Sequence, residues 1–168
     1  MSLTSQIQEY NAQWLSQFDG EATRLCLIFG ATLIDIHHVG STAVPGLAAK
    51  PEIGILIVVG EQEKEVDWSA ALAGIGYKRG GNLSAGHQFY RRNVAGIRTH
   101  KLHACVAGHS EIVRMLEFIN LLRRNKRLRQ EYESLKLNLA RSETIGMIEY
   151  LEKKKPFIEA TLKLSSGS

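Results

Sequence analysis

The sequence predicts an α/β fold of the α+β kind: a small mixed β-sheet with flanking helices and a C-terminal helical subdomain. Three observations predict it. Two short runs, 33–39 and 53–59, have the length and β-branched content of strands. The stretch 87–106 reads as a hairpin that reverses at Ala95-Gly96. From Ser110 onward, apolar residues recur at helical spacing. The 168 residues suit one domain, placed here at 1–164 with a disordered tail at 165–168.

Taken in order, Asn11 can cap a helix that carries Trp14, Phe18, Ala22, Leu25 and Phe29 on one face, with Gly30 as its stop. In the strand 33–39, Ile34, Ile36 and His38 point one way and Asp35, His37 and Val39 the other, so the two histidines cannot share a face. In the strand 53–59, Glu52, Gly54, Leu56 and Val58 share one face, and Ile53, Ile55 and Ile57 the other. Residues 61–75 read as an amphipathic helix with Val66, Ala70 and Leu72 or Ala73 inward and Gly76 as its stop. Tyr77–Arg79 is a short strand, and 80–86 a loop of glycine and serine. On the hairpin, Lys101 and His103 lie opposite Arg98, His100 and Leu102. So many basic groups suit a sheet face lining an anion cleft, while charge that blocks edge aggregation is the plainer account. Helices follow from Ser110 with Ile112, Leu116, Ile119 and Leu122 inward, and after Asn125 with Leu128, Tyr132, Leu135 and Leu139 inward. A third starts at Ser142 or Thr144 with Ile148, Leu151, Ile158 and Leu162 inward and a break at Pro156.

Composition excludes several classes. Apolar content of 44% and charged content of 23% are those of an ordinary globular chain. No apolar run approaches the length of a membrane span, and no secretory signal is visible, so a cytoplasmic protein is expected. Cys26 and Cys105 lack metal-ligand spacing, there is no Cys/His cluster along the chain, and both cysteines read as reduced core residues. The net charge of +4 resides in residues 111–163, which hold 12 basic and 8 acidic residues against 9 and 9 elsewhere. The densest run, Arg123 to Arg129, is either a polyanion patch or a solvated helix end with cations at the C-terminus. It has no aromatic residue for stacking on bases, so nucleic acid is not the expected partner.

The stretch with the most chemistry is HVGSTAVPGLAAKP, residues 38–51. Backbone N–H groups near Gly40 and Ser41 can face an anion, and Lys50 adds a point charge; an ordinary strand–loop–strand connection is the alternative. This string resembles the signature of the GrpB (UPF0157) family, itself similar to the nucleotidyltransferase superfamily. Tyr10 and Trp14, then Arg98, Thr99, His100, Leu102 and His103, then Leu116, Phe118, Leu122, Tyr132, Leu135, Lys136 and Leu139 extend the resemblance over roughly residues 8–160. Three positions depart from the family pattern. Gly54 stands where an Asp is usual, His37 where Glu is common, and Lys101 replaces a histidine.

The resemblance implies a nucleotidyltransferase-like fold, a Gly-Ser pair after the first strand, and acidic residues that hold Mg²⁺ together with nucleotide. Here the nearby acids are Glu52, which also reads as a solvated strand entrance, and Asp35, so no protein-held metal is expected. The expected function is binding of a nucleotide or similar phosphorylated small molecule by Gly40, Ser41, Lys50, Arg98, Lys101 and His103, with nucleotidyl transfer degenerate or lost at Gly54. The alternatives are a non-catalytic anion binder or protein-interaction module of the same fold, and nucleic-acid binding through the basic helices. Substrate, acceptor and oligomeric state stay open.

Overall fold

A computed structural model describes residues 6–81, 83–140 and 147–166. Five strands form one sheet, β1 (Leu33–Val39), β2 (Ile53–Val59), β3 (Tyr77–Arg79), β4 (His87–Val94) and β5 (Ile97–Val106), in the order β1-β2-β5-β4-β3. The β2–β5 pair is parallel, and the other three are antiparallel. Two layers of helix cover the sheet. Helix α1 (Gln13–Phe29) lies on one face; α3 (Ser110–Arg124), α4 (Lys126–Ala140) and α5 (Met147–Ser166) lie on the other.

Every residue of β2 is buried, which explains its unbroken apolar run. Its odd-numbered residues, Ile53, Ile55, Ile57 and Val59, meet Trp14, Leu25 and Phe29 of α1. Leu56 and Val58 meet Ile119, Leu122 and Tyr132 of the C-terminal helices. The face assignment read from period-2 alternation therefore holds. Asn11 does act at the start of α1, its Oδ1 accepting from the Gln13 N–H at 2.9 Å. Among the described residues no helix is long and apolar enough to cross a membrane.

Two expectations about helices fail. The segment 61–75 is no single helix: a 3₁₀ turn at Glu61–Glu63 precedes a five-residue helix, α2 (Ser69–Ala73). Asp67 accepts from the Ser69 amide at 2.9 Å, so its side chain ends the extended run and starts the helix late. Pro156 does not divide α5, which runs through it and ends at Ser166, beyond the expected boundary at 164. The starts proposed at Ser142 and Thr144 lie outside the described residues.

Gly54 marks a close approach. A Cβ there would sit 2.4 Å from the Val39 carbonyl oxygen of β1, its paired residue. The position is therefore filled by the neighbouring backbone and does not open the sheet. The β4–β5 reversal has positive φ at both central residues, Ala95 (53°) and Gly96 (80°), the backbone of a type I′ turn.

Two stability changes follow. Gly54→Ala should cost roughly 1–3 kcal/mol in urea unfolding, because β1 must move to admit a methyl; an unchanged midpoint would contradict the packing described. Ala95→Asn should instead gain about 0.5–1 kcal/mol, since Asn tolerates the left-handed region that Ala enters at a cost, and a fall in melting temperature would refute the turn assignment.

Candidate functional site

The segment from Gly40 to Glu52 leaves the end of β1 and crosses to β2 under the C-terminal helices. Gly40 has φ 78°, and Ser41–Ala43 make one 3₁₀ turn. The Thr42 hydroxyl donates to the Glu52 carbonyl at 3.1 Å, so its oxygen accepts the Nε2–H of His38 at 3.0 Å. His38 is therefore the neutral Nε2–H tautomer; burial, with Arg123 nearby, lowers its pKa to about 4. Arg123 donates to the Ala43 carbonyl from Nε at 3.1 Å and Nη2 at 2.8 Å. From α4, Lys136 Nζ donates to the Ala48 carbonyl at 2.8 Å, and Glu133 accepts from the Ala48 amide at 2.6 Å.

Between this turn, the sheet and the three C-terminal helices lies a cleft of about 490 Å³. Gly40, Ser41, Lys50, Lys101 and His103 all line it, as do Glu52 and Gly54. Strand register explains the grouping. Gly54 pairs with Lys101 and Leu56 with His103 in the parallel β2–β5 ladder, and Val39 pairs with Gly54 in β1–β2. Side chains at paired positions share a face. Four cleft residues came from helices that sequence reasoning treated as core. They are Arg114, Tyr132, Lys136 and Lys154. Two of them were visible in the spacing. Position 154 falls three after Leu151 and four before Ile158, and position 136 falls four after Tyr132, so both lysines occupy the inward stripe.

The electrostatics are strongly cationic. Glu52 is only 8% exposed and pairs with Lys101 at 3.2 Å, so it is a buried counterion rather than the solvated strand entrance expected. Burial lowers Lys50 to about 8, with Lys101 and Arg98 pushing the same way and Glu52 opposing. Burial also lowers Lys154 to about 7, helped by Lys101 and Lys50. Lys136, 2% exposed, is lowered well below the ordinary lysine value by burial and by Lys154. Arg114 is paired with Glu111 and Glu159. Tyr132, raised to about 12 by burial, shares a hydrogen bond with Ser41 and lies under the Lys136 and Lys154 amines.

The remaining expected residues fall elsewhere or act differently. Arg98 does not line the cleft, although its charge reaches Lys50. Alternation already sets Arg98 opposite Lys101, and the β4–β5 ladder slips after Arg92, leaving Thr99 as an extra residue between them. His103 is present but neutral. Burial lowers it to about 3, with His87 and Lys101 adding to the effect, and its Nδ1 is bonded to His87 Nε2 at 2.8 Å. It can offer a hydrogen bond but no charge. Asp35 is exposed, pairs with His37 at 3.1 Å and is not a cleft residue. Not all hairpin cations serve the cleft: Arg92 and His100 lie 3.4 and 3.9 Å from the buried Glu21 of α1, which also accepts from Tyr77 at 3.0 Å. The basic run at 123–129 is largely committed to its own turn. Arg129 donates to the Leu122 carbonyl at 3.2 Å and Arg127 pairs with Glu131. Arg123, at the exposed end of α3, also grips the Ala43 carbonyl beside Ser41, so it is more than a solvated helix end.

An Mg²⁺ held by the protein does not fit these residues. Position 54 has no side chain and no room for one, Glu52 is taken by Lys101, and Asp35 is outside the cleft.

Comparison with known proteins agrees with this architecture. The family model described as GrpB protein matches residues 4–164. The UPF0157 protein YqkA of Bacillus subtilis is 36% identical over 151 residues, 89% of this chain but only 44% of YqkA, so the chain spans less than half of that relative. The crystal structure of GrpB from Enterococcus faecalis matches with a TM-score of 0.84 at 34% identity, covering 95% of this chain and 99% of that one. The Cid1 poly(U) polymerase with MgGTP bound matches with a TM-score of 0.53 at 12% identity, covering 79% of this chain and 45% of Cid1; that likeness is one of fold. The family match over residues 4–164 means that the chain belongs to the GrpB family.

Proposed function

We propose that the cleft binds a phosphorylated small molecule, a nucleotide foremost, and does so without a metal held by the protein. One observation carries the reading. Lys50, Lys101, Lys136, Lys154 and Arg114 converge on one cavity whose lining, among the described residues, includes the carboxylates of Glu52 and Glu111. Burial disfavours the protonated forms of Lys50, Lys136 and Lys154, and an anion bound among them would favour those forms. The volume falls in the range of small-ligand pockets. Phosphate oxygens would meet the Ser41 turn, Lys50, Lys101 and Lys154, while Phe118, Ile119 and Ile158 offer apolar surface to the rest of the ligand. Any divalent ion would enter on the nucleotide's own phosphates. In-line nucleotidyl transfer usually relies on carboxylate-held metal, so the reading is binding rather than transfer. Cid1, which shares the fold, was solved with MgGTP bound, and that lends the reading support at the level of fold alone.

Calorimetric titration with nucleoside triphosphates, with EDTA and then with Mg²⁺, tests it. Binding that persists in EDTA is expected; no binding, or binding only with Mg²⁺, would overturn it. Lys154→Met should separate stability from function. Removing a buried amine should stabilise the fold by roughly 1 kcal/mol or more, and nucleotide affinity should fall by about tenfold.

The pH dependence has a definite sign. Lys154 and Lys50 have folded pKa values, about 7 and about 8, below the unfolded lysine value. Between those values and the unfolded pKa the unfolded chain binds more protons, so stability from these groups rises with pH in that window. The anion needs the protonated amines, so affinity should fall by about tenfold or more between roughly pH 7 and 9, with proton uptake on binding. Affinity that stays flat across this window would show that these amines do not meet the ligand.

A further inference from the structure

We propose that His87, Cys105 and His109 form a binding site for a borderline-soft divalent cation, with Zn²⁺ the ion that best suits the donor set. The site lies at the far end of the sheet from Lys50, outside the set of cleft-lining residues. Along the chain the three residues show no metal-ligand spacing, and the strand ladder brings them together. His87 opens β4 and pairs directly with Cys105 near the end of β5. His109 follows in the turn that starts α3. One nitrogen of each imidazole and the Cys105 Sγ lie within 4.8 Å of one another. In a tetrahedral zinc site, bonds of about 2.0–2.3 Å put ligand atoms roughly 3.5 Å apart, so closure takes side-chain shifts of about an ångström.

The surroundings are those of a supported site. His87 and Cys105 are buried, which shields the donors, while His109 and Ser84 reach the surface and give an ion a path. His87 Nε2 is bonded to His103 Nδ1 at 2.8 Å, the kind of outer hydrogen bond that fixes the ring orientation of a ligating imidazole. His109 Nδ1 accepts from the Glu111 amide at 3.1 Å and its Nε2 is 2.8 Å from the Ser84 hydroxyl; ligation through Nε2 requires the Nδ1–H tautomer, so a bound ion would replace that capping bond with the metal bond. Water or Ser84 itself can complete four-coordination. Gly86, at φ 77°, allows the close packing: a Cβ there would lie 2.8 Å from Val106 Cγ2. Two imidazoles and one thiolate select Zn²⁺ or Co²⁺ over Mg²⁺ or Ca²⁺, which take oxygen ligands. The same imidazoles could instead be a metal-free hydrogen-bonded cluster, and that is the outcome the experiment must separate.

Tag-free protein, stripped with chelator and shown to be folded, is titrated with Co²⁺. One equivalent should give a thiolate-to-cobalt charge-transfer band in the near ultraviolet and tetrahedral visible bands, and Zn²⁺ should remove both while raising the melting temperature. Cys105→Ser should abolish the charge-transfer band, and Cys26→Ser should leave it. Because Cys105 is fully buried and its variant could misfold, His109→Asn serves as a second probe: Asn keeps a helix-capping oxygen, and Co²⁺ affinity should fall about tenfold or more. The proposal is overturned if folded wild-type protein shows no stoichiometric thiolate band. A band that survives Cys105→Ser, or affinity unchanged in His109→Asn, overturns it equally.

Discussion

A loop that runs beneath helices must find a partner for every backbone polar group it buries, and the segment from Gly40 to Glu52 imposes that demand on the rest of the molecule. Thr42, Ala43, Val44, Leu47, Ala48 and Ala49 are all buried. Their carbonyls and amides are met from every side, by Arg123 of α3, by Lys136 and Glu133 of α4, and by Gln8 ahead of α1, which exchanges two backbone bonds with Ala49. The C-terminal helices therefore do more than cover apolar surface. They are docked by hydrogen bonds onto one turn, and the position of the cleft follows from that docking.

The same economy explains the charge distribution. Cations are divided between the two faces of the sheet. Arg92 neutralises Glu21 beneath α1, with the His100 ring 3.9 Å from the same carboxylate, while Lys101, one residue along the same strand, turns to the cleft. In the cleft Glu52 is engaged by Lys101 and Glu111 by Arg114, and burial, more than any neighbouring charge, makes Lys50 and Lys154 hold their protons loosely. An anion bound there, as proposed, would restore to the amines the protonation that burial removes.

Much of this was legible in the residues. Period-2 alternation gave both faces of β2 and the opposition of His37 and His38, because a strand with two buried faces leaves no freedom of register. That the Gly-Ser turn and Lys50 would line one cleft was legible in the residues of the turn and in the resemblance. Lys136 and Lys154 were not read as cleft residues because a lysine on an inward stripe reads as an error in the apolar pattern, and the carbonyl that Lys136 meets, that of Ala48, comes from a distant part of the chain. Arg98 was expected in the cleft although alternation set it on the face opposite Lys101, and it does not line the cleft. The late start of α2 depended on one side chain, Asp67, outcompeting the helix that periodicity favoured. The His87, Cys105 and His109 cluster is invisible to spacing rules because it is assembled across a ladder.

The contact between Gly54 and Val39 bears on descent as well as on chemistry. If relatives have an acid at position 54, their first two strands must stand differently there, since here the space for a Cβ is occupied by a carbonyl oxygen at 2.4 Å. An Asp placed there would meet that backbone before it could meet a metal ion. Strand β1 would have to move first. Lys101, paired with Gly54 across the ladder and engaged by Glu52, adds a second obstacle. The basic cleft can change one side chain at a time, whereas a carboxylate at position 54 demands a shift of the backbone.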